Sequence, residues 1–99
     1  MSNMNQCNFT GHLTDKPYQG SGMISFDIAM NSKRGDTEYT EYVSIKTFGK
    51  IAESIGPHLE KGSHVRVSAE FRTRVAEVEG VKRKFPEFII QNFDGFEFL

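Results

Sequence analysis

The segment Tyr42-Val-Ser-Ile-Lys-Thr-Phe48 decides how this chain folds. Side chains of a β-strand point alternately to its two faces, so Val43, Ile45 and Thr47 share one face. That face is apolar and β-branched, as the side of a strand that packs on a core needs to be. The pattern therefore predicts a strand over 38–48 that covers a hydrophobic core with one side.

The opposite face of this strand has a different character, since it carries Tyr42, Ser44, Lys46 and Phe48. Aromatic rings offer flat surfaces on which bases can stack, and an ammonium group can meet a phosphate. Two interpretations fit this face. It is either a surface that holds single-stranded nucleic acid, or an ordinary half-exposed strand with amphipathic side chains.

Alternation elsewhere predicts further strands, over 6–13, 23–31, 63–76, 83–91 and 93–99. Residues 49–59 form the helical candidate, because Ile51, Ile55 and Leu59 recur at helical spacing. Proline within Gly56-Pro57 should kink this helix. Glycine-rich or charged segments predict a loop and two turns, over 15–22, 32–36 and 77–80. The order of elements indicates a mostly β domain with one helix plugging an end.

The predicted long strand 63–76 alternates apolar and polar side chains. We expect its inward side to consist of Val65, Val67, Ala69, Phe71, Thr73 and Val75. On the outward side, Glu70 should pair with an arginine. Residues 61–84 contain seven basic and three acidic residues, a local charge of +4, although the whole chain carries −1. Since phosphate affinity depends on local potential, this basic sector can serve a nucleic-acid binder.

Composition indicates a small single domain over 1–99, because 99 residues with 37% hydrophobic content allow one small core. A single cysteine, Cys7, forbids an intrachain disulfide and fits a reducing cytosol. The polar N-terminus predicts no signal peptide, and no apolar run approaches the ~18 residues that a membrane span needs.

Catalytic and metal-binding patterns are lacking in the sequence. The three histidines, His12, His58 and His64, are separated and have no cysteine or carboxylate at metal-ligand spacing. Glu77 and Glu79 belong to a predicted hairpin, which favours solubility over acid–base chemistry. The segment 20–22 has no lysine at phosphate-loop spacing. We therefore expect no enzyme activity, no metal and no cofactor.

Four motifs, in this order, resemble the OB-fold domain of bacterial-type single-stranded DNA-binding proteins. They are Asn8-Phe-Thr-Gly11-His-Leu13-Thr14, Phe48-Gly49-Lys50-Ile-Ala52-Glu53, Leu59-Glu-Lys61-Gly62-Ser63-His-Val65 and Arg72-Thr73-Arg74. The resemblance implies a five-stranded Greek-key barrel capped by one short helix, with a cytosolic location in a bacterium or phage-infected host. The coarse order of strands and helix agrees with that fold.

The resemblance also implies site residues. By position, Tyr42 and Phe48 match stacking aromatics of the family, Arg72 and Arg74 match a basic pair, and Phe85 lies near a further aromatic. Other residues are candidates for nucleic-acid contact because they carry a positive charge or an aromatic ring and lie near the residues just named. They are Tyr39, Lys46, Arg66, Lys33, Arg34, Lys82, Arg83 and Lys84.

Three features depart from the family pattern. Ala76 stands where many relatives carry a stacking aromatic, and the loop over 31–39 is short, with Tyr39 as a possible substitute aromatic. The sequence ends at Leu99, without the acidic tail through which bacterial members recruit other replication proteins. We expect a tail-less phage or plasmid version, a truncated form, or a relative of primosomal proteins.

The resulting hypothesis is sequence-independent binding and protection of single-stranded DNA in replication, recombination or repair. Two alternatives stay open: a primosome-type accessory protein, and an OB-fold module that binds RNA or protein. We also expect a homo-oligomer, a tetramer ahead of a dimer. The surfaces expected to form it are the polar side of the first strand and the aromatic C-terminal end, namely Asn8, Thr10, His12, Phe93, Phe96 and Phe98.

Overall fold

The computed structural model describes residues 3–99 and contains seven strands and one α-helix in that range. The strands are β1 (Cys7–Leu13), β2 (Tyr18–Gly20), β3 (Met23–Arg34), β4 (Thr37–Phe48), β5 (His64–Val78), β6 (Val81–Ile90) and β7 (Phe96–Phe98). The helix is α1 (Gly49–Ile55), and 3₁₀ turns cover Gly56–His58 and Phe93–Gly95. Among the described residues, no helix is long and apolar enough to cross a membrane.

Five of the strands close into a barrel. Their order is β1-β3-β4-β6-β5, and β5 pairs back onto β1. Every contact in this ring is antiparallel except that of β4 with β6, which is parallel. The chain is therefore an all-β OB-fold barrel with one short capping helix, as the sequence predicted. The small strands β2 and β7 are additions that pair with β3 and β5.

The barrel is filled by the side chains that the alternation of β3, β4 and β5 turns inward. The buried core cluster is Leu13, Ile24, Phe26, Ile28, Ile45, Ala52, Ile55, Leu59, Val65, Val67, Ala69, Ile90 and Phe96. Thr47 is the buried polar residue among the described ones, and its hydroxyl donates a hydrogen bond to the Ile90 carbonyl at 3.1 Å. This bond removes the cost of burying the hydroxyl. The predicted inward face of β4 is confirmed.

The cap of the barrel follows directly from the end of β4. Gly49 has a φ of 62°, which turns the chain from the strand into α1. Ala52 and Ile55 point down onto the core. Pro57 cannot continue the helical hydrogen bonding, so the last turn becomes 3₁₀ at Gly56–His58. The predicted short helix with a break at Gly56 is confirmed.

Both long hairpins extend beyond the barrel, and here the sequence prediction was wrong in detail. The predicted turn over 32–36 is mostly strand, because β3 and β4 stay paired out to Arg34 and Thr37. Pairing of Lys33 with Glu38 places opposite charges side by side. The true turn is Gly35–Asp36, where Gly35 has a φ of 64°. We call this extension the β3–β4 arm.

The second extension, the β5–β6 arm, changes the interpretation of three side chains. The sequence predicted Phe71, Thr73 and Val75 as core residues, but all three are exposed. They do follow the inward alternation of β5. The Phe71 ring contacts that of Phe88 at the edge of the core, with 5.8 Å between centroids, whereas Thr73 and Val75 lie on the arm, past the end of the barrel. A two-residue turn at Glu79 and Gly80, with φ values of 52° and 79°, closes the arm.

Two smaller predictions also need correction. The loop predicted over 15–22 contains β2, which pairs with the start of β3. The strand predicted over 93–99 is divided into a 3₁₀ turn at Phe93–Gly95 and the short strand β7. In each case only three residues pair with a neighbouring strand, which is too short for alternation to be visible in the sequence.

Candidate nucleic-acid interface

The barrel strands β4, β6 and β5 lie side by side and present one continuous outer face. In the pairing register, Arg72 lies opposite Glu87 and Arg74 lies opposite Phe85, while Lys46 lies beside Ile89 of β6. We call this surface the central face. Its outward side chains used below are Tyr42, Lys46, Phe48, Arg72, Arg74, Phe85 and Glu87. The sequence predicted all of them as site residues except Glu87.

Aromatic rings stand at both ends of the β4 part of this face. Tyr42 is 68% exposed and Phe48 is 49% exposed, a large fraction for side chains of this size. A ring that contacts solvent on one side is available for stacking on a base. Phe85 is half-buried, and the Arg74 guanidinium lies over its ring at 5.1 Å from the centroid. This cation–π contact fixes the direction of Arg74 across the face.

A carboxylate lies between the cations of the central face. Glu87 accepts a hydrogen bond from the Lys46 ammonium at 2.5 Å, and its same oxygen lies 3.4 Å from the Arg74 Nε. The hydrogen bond from Lys46 lowers the pKa of Glu87, and the positive charges of Lys46 and Arg74 add to this effect against the opposing effect of burial. Glu87 is therefore ionised at neutral pH.

Sequence reasoning missed Glu87, although a signal existed. It stands two residues after Phe85 and so shares its face on a strand that was predicted correctly. Which cations it meets depends on the parallel neighbour β4, and that pairing is not visible in local sequence. The prediction that Glu70 pairs with an arginine is confirmed, since it lies 3.2 Å from Arg72.

Arg66 lies away from the central face. Its guanidinium contacts Glu97 of β7 at 3.1 Å and donates to the Asp94 carbonyl at 2.8 Å and to the Ser68 hydroxyl at 3.2 Å. These contacts attach the C-terminal segment to β5. The sequence grouped Arg66 with the nucleic-acid contacts, but in the structure its guanidinium is engaged by partners within the protein.

The β3–β4 arm carries three of the predicted residues. The Arg34 guanidinium lies over the Tyr39 ring at 5.0 Å from its centroid, and both side chains are exposed. By alternation they share the side of the arm that continues the inner surface of the barrel, whereas Lys33 lies on the other side opposite Glu38. The structure thus brings Tyr39 and Arg34 together and separates Lys33 from them.

The basic triplet of the β5–β6 arm does not form one patch. Arg83 lies opposite Ala76 and shares the outer side of the arm with Arg74 and Phe85. Lys82 and Lys84 point to the other side, where Lys82 is paired with Glu77. Only Arg83 therefore extends the central face toward the tip of this arm.

Two histidines that are distant in sequence meet on the barrel surface. The rings of His12 and His64 stack at 4.3 Å between centroids, with 8° between their planes, because β1 and β5 pair at this position. The expectation of separated histidines is corrected for this pair. Within residues 3–99, no group of three or more potential metal ligands occurs.

The surfaces predicted for self-association are partly available. Asn8, Thr10 and His12 are exposed along β1. At the C-terminal end, Phe96 is buried against Phe26, with 6.0 Å between ring centroids, and so closes the barrel. Phe93 and Phe98 are exposed.

Comparison of the sequence with known proteins identifies a family and a relative that the chain resembles. The model of the "Single-strand binding protein family" matches residues 4–96. The single-stranded DNA-binding protein of Clostridium perfringens is 29% identical over 98 residues, which cover 92% of this chain and 65% of that protein. The chain thus spans just under two thirds of the length of this curated relative.

Three solved structures share the fold. A single-stranded DNA-binding protein of Plasmodium falciparum, solved in complex with single-stranded DNA, has a TM-score of 0.80 and 20% identity, with 100% of this chain and 97% of that chain covered. The mitochondrial single-stranded DNA-binding protein of S. cerevisiae has a TM-score of 0.74 and 18% identity, with coverage of 98% and 96%. The small single-stranded DNA-binding protein of Streptomyces coelicolor has a TM-score of 0.71 and 17% identity, with coverage of 98% and 95%. These neighbours confirm the barrel architecture.

Proposed function

This chain belongs to the single-strand binding protein family, and from that premise we propose that it binds and protects single-stranded DNA without reading its sequence. The observation that carries the proposal is the central face, where two exposed aromatic rings on β4 flank a lysine and adjoin two arginines on β5. Replication, recombination and repair all expose such strands, and they are the processes that the protein would serve.

The proposed mechanism requires no bond to be made or broken. Bases stack on Tyr42 and Phe48, with Phe85 as a partly covered third platform beneath Arg74. Lys46, Arg72 and Arg74 contact the phosphates that run between these bases. Because every base has a flat ring and every nucleotide has a phosphate, this arrangement favours no particular sequence.

The two arms extend this proposed path. Arg83 lies on the outer side of the β5–β6 arm, and Lys33 lies on the outer side of the β3–β4 arm, opposite Glu38. Tyr39 and Arg34 lie on the other side of that arm, so a strand would reach them by crossing the edge of the arm. Each arm presents a cation, and one adds an aromatic ring, so a strand longer than the barrel is wide meets further contacts of the same kind. Lys82 and Lys84 point away from this path and would attract DNA only by long-range charge.

A titration with oligo-dT tests the proposal. The chain has three tyrosines and no tryptophan, so intrinsic fluorescence reports on Tyr18, Tyr39 and Tyr42 alone. Stacking should quench this fluorescence, and added salt should reverse the quenching as it displaces phosphate contacts. The same sequence annealed into a duplex should bind poorly, because its bases are already stacked.

Three results would each redirect the proposal. Equal affinity for duplex and single strand would rule out base stacking. Tighter binding of oligo-rU than of oligo-dT would favour the RNA-binding alternative. Absence of quenching together with absence of binding would leave the central face as a protein-docking surface.

The same proposal includes self-association into a homo-oligomer, with a tetramer ahead of a dimer. A barrel of 11.2 kDa offers a narrow face, and a long DNA strand needs several such faces in one particle. The exposed side of β1 and the exposed Phe93 and Phe98 are surfaces through which copies could pair. Light scattering in high salt should give a mass several times that of one chain, and a mass near 11.2 kDa at micromolar concentration would contradict it.

A further inference from the structure

Glu87 is an acidic residue that lies between two cations at the centre of the central face. It lines a shallow depression of about 220 Å³ together with Ser44, Lys46, Arg74 and Phe85. The Glu87 side chain is only 15% exposed, whereas those of Lys46 and Arg74 are 30% and 51% exposed. The carboxylate is thus fixed in the wall of the depression, while both cations reach the solvent.

The carboxylate occupies the position that a phosphate would take between these cations. One of its oxygens receives the Lys46 ammonium and lies near the Arg74 Nε. A nucleic-acid phosphate offers the same chemistry, oxygen atoms that accept charge-assisted hydrogen bonds from lysine and arginine. Both cations are therefore partly satisfied before any DNA arrives.

Other charged groups near Glu87 lower the positive potential of this centre further. Arg72 lies opposite Glu87 across the β5–β6 pairing, but its guanidinium contacts Glu70 of its own strand. On β3, Asp27 is engaged by the Ser44 hydroxyl, which keeps it beside the depression as a further negative charge. The centre of the face therefore presents less positive potential than its lysine and arginines imply.

We propose that Glu87 is an internal competitor of DNA phosphate, which holds Lys46 and Arg74 in the free protein and limits the affinity for single strands. This inference rests on the proposed function. Glu87 is a positioning residue in this scheme, since it acts through the two cations. When a strand binds, a phosphate takes over contacts that Glu87 made, and the gain in free energy is reduced by the contacts that are lost.

The variant Glu87→Gln tests this proposal most directly. Glutamine keeps the size and an acceptor oxygen for Lys46, but it removes the negative charge. We expect Glu87→Gln to bind oligo-dT about three- to tenfold more tightly at low salt, as removal of one nearby like charge from a phosphate site should. Log affinity should also fall more steeply with log salt, by about 0.7 for each additional phosphate neutralised on a single strand.

A matched control is Glu97→Gln, which changes net charge by the same amount. Glu97 pairs with Arg66, away from the central face, and does not line the depression. Its removal should tighten binding about twofold or less, with little change in salt slope. In a Lys46→Ala, Arg74→Ala background, Glu87→Gln should give no tightening, because the cations through which it acts are gone. Thermal melting of each variant verifies the fold.

The outcomes separate this inference from the function on which it rests. If the parent protein fails to bind oligo-dT, the proposed function fails and the inference falls with it. If the parent binds, but Glu87→Gln binds equally or less tightly with an unchanged salt slope, only the inference is overturned. Equal tightening by Glu87→Gln and Glu97→Gln would also overturn it, since overall charge would then explain both.

Discussion

Replacing Tyr42 by alanine should weaken DNA binding without weakening the fold. The Tyr42 side chain is 68% exposed on the central face, so its removal takes away little packing. Tyr18 is a matched control, because it is a tyrosine with 66% exposure on the small strand β2, outside that face. Alanine at either position changes composition and exposed aromatic area almost equally.

The magnitude follows from the stacking energy of one base. Loss of an aromatic platform costs ~1–3 kcal/mol of binding free energy per base, which raises the dissociation constant about fivefold to 150-fold. Phe48→Ala should fall in the same range, with some loss of stability as well, since Phe48 is half-covered and stands at the N-cap of α1. Phe93→Ala is its control, an exposed phenylalanine outside the central face.

Fluorescence anisotropy of a dye-labelled oligo-dT measures these affinities without relying on the tyrosines that are being removed. Each variant is compared with the parent at one salt concentration, and its thermal midpoint is recorded. The reasoning is refuted if Tyr42→Ala binds like the parent, or if Tyr18→Ala loses as much affinity as Tyr42→Ala. The second result would mean that the DNA path crosses β2.

Three further predictions concern charge, packing and pH. The double variant Arg72→Ala, Arg74→Ala should lower affinity alike for all sequences and flatten the plot of log affinity against log salt by about 0.7 to 1.4, measured over a salt series; an unchanged slope would assign both arginines to ion pairs within the protein. Gly11→Ala should destabilise the fold by about 1–3 kcal/mol in denaturant unfolding, because the new methyl group would overlap a carbonyl oxygen of β3; parent-like stability would show that β1 can move. The pKa of Glu87 is lowered in the fold, so its ion pairs stabilise the protein at pH values above the ordinary carboxyl pKa, and this stabilisation is lost as the pH falls. On acidification, the melting temperature should therefore drop less for Glu87→Gln than for the parent. Parallel plots of melting temperature against pH would contradict this.

The barrel was predictable where one rule decided the outcome. In the barrel part of β4, the inward positions are apolar or a threonine whose hydroxyl finds an internal partner, so alternation and burial agree at Val43, Ile45 and Thr47. The end of the capping helix was equally predictable, because proline in Gly56-Pro57 has no backbone N–H to continue the helical hydrogen bonds. These features depend on neighbours that are close in sequence.

The arms were mispredicted because their stability depends on pairing and not on burial. Lys33, Arg34 and their partners on β4 have no apolar face, and polar alternation leaves no hydrophobic period to detect. Thr73 and Val75 gave the opposite error, since they continue the inward pattern of β5 after the barrel has ended. Alternation shows which side of a strand a residue occupies, but only the length of the neighbouring strands shows whether a core lies there.

The candidate site shows the same division between what is local and what is distant. Tyr42, Lys46 and Phe48 were placed on one face from their spacing, and the structure keeps them there. The charge of that face could not be predicted, because Glu87 joins Lys46 only through the parallel contact of β6 with β4, 41 residues apart. A count of basic residues over 61–84 therefore overstates the potential that DNA would meet. What matters for affinity is how many cations remain free after the fold has paired them. On the central face Glu87 pairs with Lys46 and Arg74, and Glu70 pairs with Arg72.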